Sequence, residues 1–388
     1  GTPFELKEKY ARDKLRLYTE KTLSLDGLTK ESWGYSTYLG CTMDALDIVN
    51  SVRSEITGFE VIGGTMDDVF LNATGKKLEN TEAGEMREVM GLAGRNLKIY
   101  LRDRGAVFFS LLSAIIVIVL MLVFLGDMNV QSITSALDEM HLGTPEDNLD
   151  NAKQLILMWA MGGILCVNGV TVSSMVISTM INDFTNGRIQ AFRTAPISRT
   201  KLSLGYITAA WIASSFICVL TLAAADILGA VNGSPLPSFS DHLQLLAMIL
   251  VNCFTYSGIM YFAGLLVKTQ GAWSGFATLV STLVGFLGGI YIPMGSLPEG
   301  VQTVLKCLPV LHGCSMFRSV LTAPISERTF KGVPQQFITE CDKEMGTAVF
   351  FGDTQVTPVM QLAILLVCGI IFIAAATLIS RRRFKSDR

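Results

Sequence analysis

The sequence predicts a mainly α-helical polytopic membrane protein. It has six transmembrane helices, an amphipathic helix at the membrane surface ahead of them, and a small α+β piece upstream. Three observations predict this. First, the charges are split: residues 1–105 carry 15 of the 31 Lys/Arg and 17 of the 33 Asp/Glu, in a 388-residue chain that is 50% hydrophobic and 16% charged. An average soluble domain is about 25% charged. Second, six charge-free windows follow, at 105–126, 154–182, 202–225, 242–267, 269–298 and 354–380, and a helix needs about 20 apolar residues to cross the hydrocarbon core. Third, the segments between the windows alternate in Lys/Arg content, as membrane loops do. This composition argues against a wholly soluble globular protein. The net charge of −2 argues against a nucleic-acid partner.

Residues 1–24 read as a charged helix and connector, with Pro3 in its first turn. Residues 25–64 mix β-like runs (Gly34–Leu39, Phe59–Ile62) with the amphipathic stretch Met43–Ile56, where Ala45, Leu46, Val49, Val52 and Ile56 recur at helical spacing. Thr65 to Gly75 reads as a capped helix, N-cap Thr65 with Asp68 three residues on and a Gly75-Lys76-Lys77 stop. Residues 76–85 read as a polar linker. From 86 to 104, Met86, Val89, Met90, Ala93, Leu97 and Tyr100 sit three or four apart, with Arg87, Arg95, Lys98, Arg102 and Arg104 between them. This is the pattern of an interfacial helix lying on the membrane; the alternative is a basic flank anchoring the first span.

The expected spans are about 105–126, 154–182, 202–225, 242–267, 272–293 and 358–380. Loop charge orients them. The flank before the first span is basic. Segment 126–153 is acidic with only Lys153, 183–201 carries Arg188, Arg193, Arg199 and Lys201, 226–241 has no Lys/Arg, the turn near 268–271 has Lys268, and the tail holds Arg381, Arg382, Arg383, Lys385 and Arg388. Six spans with both termini cytoplasmic satisfy this pattern. The eight cysteines contain no CxxC pair, so zinc or redox-motif chemistry has little support. Cys307, Cys314 and Cys341 share the last long loop, where one disulfide or three reduced thiols fit equally. No carboxylate falls at mid-span, so proton- or sodium-coupled transport lacks its usual ligands, and the energy source is expected elsewhere.

Three segments carry a family resemblance. Gly1-Thr2-Pro3-Phe4-Glu5-Leu6-Lys7 resembles the stretch after the switch histidine of ATP-binding-cassette (ABC) ATPases. Asp67-Asp68-Val69-Phe70-Leu71 with Thr74-Gly75 resembles the C-terminal signature of export-type ATPase subunits. The membrane part resembles the permease of type 2 ABC exporters: a cytoplasmic loop from Asn186 ending in Ala195-Pro196-Ile197-Ser198-Arg199, and a Gly-rich fifth span (Gly285, Gly288, Gly289) running into Pro293 and then Leu297-Pro298-Glu299. The resemblance covers nearly the whole chain. It implies a fused polypeptide, with residue 1 as a cut point: 1–80 the end of an ATPase domain, 81–104 linker and interfacial helix, and 105–388 the permease. No GxxxxGK[ST] loop occurs in the sequence, so no catalytic, cofactor or metal-binding residue is assigned. ATP and Mg²⁺ are implied for the associated ATPase domain, fused or separate. A second permease half (homo- or heterodimer), the lipid bilayer and a bacterial cytoplasmic membrane complete the expected setting.

Candidate site residues follow from that resemblance and from residue type. Asp183, Phe184, Arg188, Phe192 and Arg193 are the candidate ATPase-coupling loop; the family often has a Glu-Arg-Glu-like run where this chain has Asn182-Asp183-Phe184. Arg87, Arg95, Lys98 and Arg102 are the interfacial contacts. Gly288, Gly289, Pro293 and Pro298 are the candidate outer gate, for which ordinary helix packing is the alternative, beside re-entrant helices at 296–325. Small polar residues such as Ser173, Ser174, Ser178 and Thr179 either bond between helices or touch substrate. The expected function is the membrane subunit of an ATP-driven exporter of hydrophobic or amphipathic compounds such as drugs, lipids or peptides. The alternatives are an assembly or sensor component that binds an ATPase without transporting, or a membrane enzyme or channel, for which His312 with Asp342 or Glu344 is the one thinkable catalytic set.

Overall fold

The computed structural model describes residues 13–19, 28–31, 34–39, 44–63, 82–105, 107–108, 112, 115–116, 119, 126–194, 197–352 and 354–383. The first expected span and the two ATPase-like segments, at 1–7 and 65–75, lie largely or wholly outside these residues. The chain divides into two compact units, Gly1–Glu85 and Met86–Arg388.

In the first unit, four antiparallel strands pair in the order β2-β3-β1-β4: β1 Lys14–Tyr18, β2 Thr29–Glu31, β3 Gly34–Tyr38 and β4 Gly58–Ile62. The expected charged helix and connector over 1–24 is corrected at Lys14–Tyr18, which is a strand; residues 1–12 and 20–24 lie outside the described residues. Its Leu15 and Leu17 are fully buried while Lys14, Arg16 and Tyr18 are half-buried, a period of two that scattered apolar residues had masked. Helix α1 (Asp44–Ser51) turns Ala45 and Val49 onto the same core as Leu15, Leu17, Tyr35 and Leu39, but leaves Leu46 exposed.

The second unit is helical. In chain order it contains most of α2 (Glu82–Arg102), then α3 (Gly126–Glu139), α4 (Pro145–Thr185), α5 (Ile189–Thr194), α6 (Arg199–Val231), α7 (Phe239–Leu266) and α8 (Gln270–Leu287). A 3₁₀ turn at Met294–Ser296, α9 (Glu299–Lys306), α10 (Pro309–Thr329) and α11 (Gln335–Met345) follow. The hairpin β5 (Phe350–Phe351) and β6 (Thr354–Gln355) then leads into α12 (Pro358–Arg383).

Four of the described helices, α4, α6, α7 and α12, are long and apolar enough to cross a membrane; α9 and α10 form a further bent pair with an 86° break. The fifth expected span, 272–293, overlaps the 18-residue α8, which is not among those four, and the bent pair occupies the expected re-entrant region. The acidic segment 126–153 is not an open loop, since α3 fills its first half and α4 begins at Pro145, nine residues ahead of the expected span. Thr144 caps α4 by accepting from the Asp147 amide, Pro145 occupies its first turn, and Glu146 and Asp147 complement the helix dipole. Ser238 and Asp241 form a capping box at the start of α7.

Helix α4 is the axis of the unit. Its 41 residues extend roughly 60 Å at 1.5 Å per residue. Its most apolar window is wholly buried inside the bundle, against 17% for α12 at the periphery. Glycines let neighbours approach it: a Cβ on Gly162 would fall 2.9 Å from the Arg318 backbone nitrogen, and one on Gly169 would fall 2.5 Å from the Asn252 amide. Some buried polar groups are paired between helices: Asn168 donates to Thr221 Oγ1 at 2.9 Å and Thr255 to the Leu365 carbonyl at 2.8 Å.

Candidate functional site

Helix α2 docks on the bundle through Leu92, Ala93, Asn96 and Tyr100, all buried, while Met86 and Met90 of the expected apolar stripe stay exposed. Gly205 of α6 makes room for this docking, because a Cβ there would fall 2.6 Å from Leu92 Cβ. The docked face turns Arg95 toward the C-terminal end of α4. Its Nη1 and Nη2 donate to Asp183 Oδ2 and Oδ1 at 2.5 and 2.9 Å, a fork on a fork. Tyr206 Oη of α6 donates to the same Oδ2 at 2.7 Å. The Asp183 carboxylate holds the Arg95 proton more tightly than usual, raising the guanidinium above its ordinary value.

Asp183 is therefore not an open polar contact for a partner. Its side chain is 1% exposed, and its two oxygens are taken by α2 and by α6. Arg188, also expected to make polar partner contact, is 61% exposed with its Nη1 3.9 Å from Asp183 Oδ1. Phe192 of α5 lies under the Arg95 guanidinium, 5.2 Å from it to the ring centroid. Phe184 is partly buried and packs on the main core. The side chain of Arg193, and Pro196, lie outside the described residues. Arg87, Lys98 and Arg102 are exposed on α2. A second tie, Lys201 Nζ to Glu88 Oε2 at 3.0 Å, joins α6 to α2. Beside Tyr206, Tyr261 Oη of α7 donates to Ser203 Oγ at 2.8 Å, and Ser203 bonds Ser380 of α12 at 3.1 Å. Five helices thus meet at this end in one polar seam.

The Gly–Pro candidates converge on a second place. α8 ends in a Schellman motif: Gly289, at φ +63°, donates to the Phe286 carbonyl at 3.0 Å, and the Ile290 amide to the Gly285 carbonyl at 2.9 Å. Gly288 sits against Cys314, where a Cβ would fall 2.7 Å from Sγ. Pro293 opens the 3₁₀ turn and lines a cavity of about 170 Å³ with Trp159, Ser296 and Met345. Pro298 begins α9.

At the centre of this region lies Arg318 of α10, which sequence reasoning missed. It is 0% exposed. Its guanidinium lies over the Trp159 ring at 4.1 Å, Nε donates to the Trp159 carbonyl at 3.3 Å, and Nη2 to the Gly289 carbonyl at 3.0 Å. Nη1 has no hydrogen-bond partner, and no carboxylate pairs with Arg318 among the described residues. The signal was in the sequence: from Gly300 to Ile325 there is no Asp or Glu, so Arg318 is a cation without a local partner in an otherwise apolar stretch.

The third feature is a shallow groove of about 360 Å³ between α4 and α8, lined by Ser174, Thr278, Ser281 and Thr282 with Met175 and Tyr291. His312 is buried and its Nε2 bonds the Lys306 carbonyl at 2.9 Å, with neither Asp342 nor Glu344 hydrogen-bonded to it among the described residues, so the thinkable catalytic set is not assembled. Cys307, Cys314 and Cys341 are free thiols, respectively exposed, buried and partly buried.

Residues 127–378 match the family model described as ABC-2 family transporter protein. None of the curated proteins matches the chain.

Proposed function

The chain belongs to the ABC-2 transporter family, a family of multi-pass membrane components that associate with an ABC ATPase, and from this premise we propose that it is the permease half of an ATP-driven exporter. The observation that carries the reading is the Arg95–Asp183–Tyr206 clamp. It fastens the surface helix α2 to the end of the central helix α4 and to α6. A push on α2 or on exposed Arg188 is thus delivered to the long axis of the bundle rather than absorbed by a loose loop.

The remaining parts fit that role. ATP and Mg²⁺ would belong to the ATPase, and the resemblance of residues 1–80 to the end of an ATPase domain supports a fused arrangement. Loop charge supports both termini on the cytoplasmic side of the membrane. The groove lined by Ser174, Thr278, Ser281 and Thr282 is open along one flank. A second permease half, giving twelve spans, would close it into a pathway for a hydrophobic or amphipathic substrate.

The test is reconstitution in proteoliposomes with the ATPase. ATP-dependent substrate movement is expected, lost when the phosphate-loop Lys of the ATPase is changed. Asp183→Asn should leave ATP hydrolysis standing while transport falls by at least about tenfold, the mark of a broken linkage. Movement that persists without ATP would sink the exporter reading.

A further inference from the structure

A cavity of about 120 Å³ lies among the 3₁₀ turn, α9, α10 and the start of the β5–β6 hairpin, with Lys306, Lys343 and Gln302 on its polar side and Met294, Leu311 and Gly346 on its inner side. No Asp or Glu lines it among the described residues. Neither lysine has a carboxylate within ion-pair distance there; Lys343 Nζ instead rides over the Phe350 ring at 4.6 Å. Unpaired Arg318 stands directly behind the inner wall. A Cβ on Gly346 would fall 3.3 Å from Met294 Cβ, 3.6 Å from Arg318 Nη1 and 3.8 Å from Leu311 Cδ1. The wall between the cavity and the free Nη1 is therefore a bare glycine, at φ +65°. A buried guanidinium with one nitrogen unsatisfied is costly, and an ionisable group buried in a membrane domain marks a candidate functional site. Two lysines line one small space that no acid lines among the described residues, and a third cation stands one glycine behind its wall.

We propose that this cavity binds an oxyanion, the phosphate or carboxylate group of an amphipathic molecule, with Lys306 and Lys343 lining it and Arg318 adding its positive charge from behind the Gly346 wall. Resting on the exporter reading, it gives the substrate class a sign: anionic head, apolar tail. Exposed Val301 and Val304 on α9, beside the mouth, provide a surface for the tail. The headgroup could arrive on a lipid-like molecule or as free phosphate, and the binding site chemistry is the same for both.

The experiment uses the full chain in phosphatidylcholine nanodiscs without ATPase or ATP, so that its outcome is independent of transport. Dodecyl phosphate, inorganic phosphate and dodecyltrimethylammonium are titrated, read by tryptophan fluorescence and thermal shift. Saturable binding of dodecyl phosphate is expected, weakening with salt. The Lys306→Gln/Lys343→Gln double variant should bind at least about tenfold more weakly, each charge-assisted contact being of that order. Arg318→Lys should bind more weakly than wild type but more tightly than Arg318→Gln, and Gly346→Ala should weaken binding. Binding of inorganic phosphate as well identifies the free ion as sufficient; binding of dodecyl phosphate alone identifies the amphiphile. Equal binding of dodecyltrimethylammonium, unchanged binding by the double lysine variant, or no saturable binding of either phosphate overturns the proposal. The lysines line the cavity rather than the core, so the double variant decides the matter even if Arg318 variants fail to fold.

Discussion

Removing one partner from a buried ion pair strands the other, and that sets the energetics of single residues here. Asp183 is buried by α2 and α6, so Arg95→Ala leaves an uncompensated carboxylate and should cost about 3–5 kcal/mol. Tyr206→Phe removes one hydrogen bond to a charged group and should cost about 1.5–3 kcal/mol. Arg188→Ala, at an exposed position 3.9 Å away, should cost less than about 1 kcal/mol. Chemical denaturation of the purified chain in detergent checks the order; Arg188→Ala equal to Arg95→Ala would contradict it. A second residue-scale expectation concerns Asp342, whose carboxyl is pushed up to about 6 by burial. The folded state holds this proton more tightly than the unfolded chain does. Its contribution to stability is therefore full below the ordinary carboxylate range, about pH 4, and is lost as pH rises through about 6. Protection of the α11 amides, measured relative to their intrinsic base-catalysed exchange rate, should fall over that window in the wild type and stay flat in Asp342→Asn.

At the scale of elements, helix ends depend on single backbone conformations. Gly289→Ala forces a Cβ into the left-handed region that closes α8, and should cost about 1–2 kcal/mol. Gly162→Ala should cost as much by a different route, since its Cβ would meet the backbone of α10 and the helices must part. Thermal melts of the two variants test both, and a neutral Gly162→Ala would mean that α4 and α10 are not in close contact. The elements were unequally legible. The charge-free windows reveal α4, α6, α7 and α12 because lipid or a helical bundle excludes charge along a whole span. Strand β1 was hidden because Leu15 and Leu17 are only two apolar points, too few to separate a period of two from helical spacing. The extension of α4 to Pro145 was hidden because its first turns are polar, and charge counts see only apolar windows. The clamp was half legible: Arg95 and Asp183 were each singled out, but 88 residues separate them and nothing local says that they meet. Arg318 was legible in principle as a cation with no acid nearby.

For the molecule as a whole, the alternation of loop charge makes a topological prediction. In a background lacking the native cysteines, single cysteines at Asn186 and at Gly332 should react with an impermeant maleimide from opposite sides of the membrane. Reaction of both from one side would overturn the arrangement. The two places of interest also share one body. Asp183 lies at one end of α4, and Trp159, which carries the Arg318 guanidinium on its ring, lies 24 residues back along the same helix, about 36 Å at 1.5 Å per residue. A rod gripped at both places acts as a two-way gauge. If occupancy of the basic cavity favours one position of α4, the ATPase must feel that preference with the same free energy with which nucleotide alters the cavity's hold on its ligand. Substrate would then set the tempo of its own expulsion, with no messenger beyond the stiffness of a single helix.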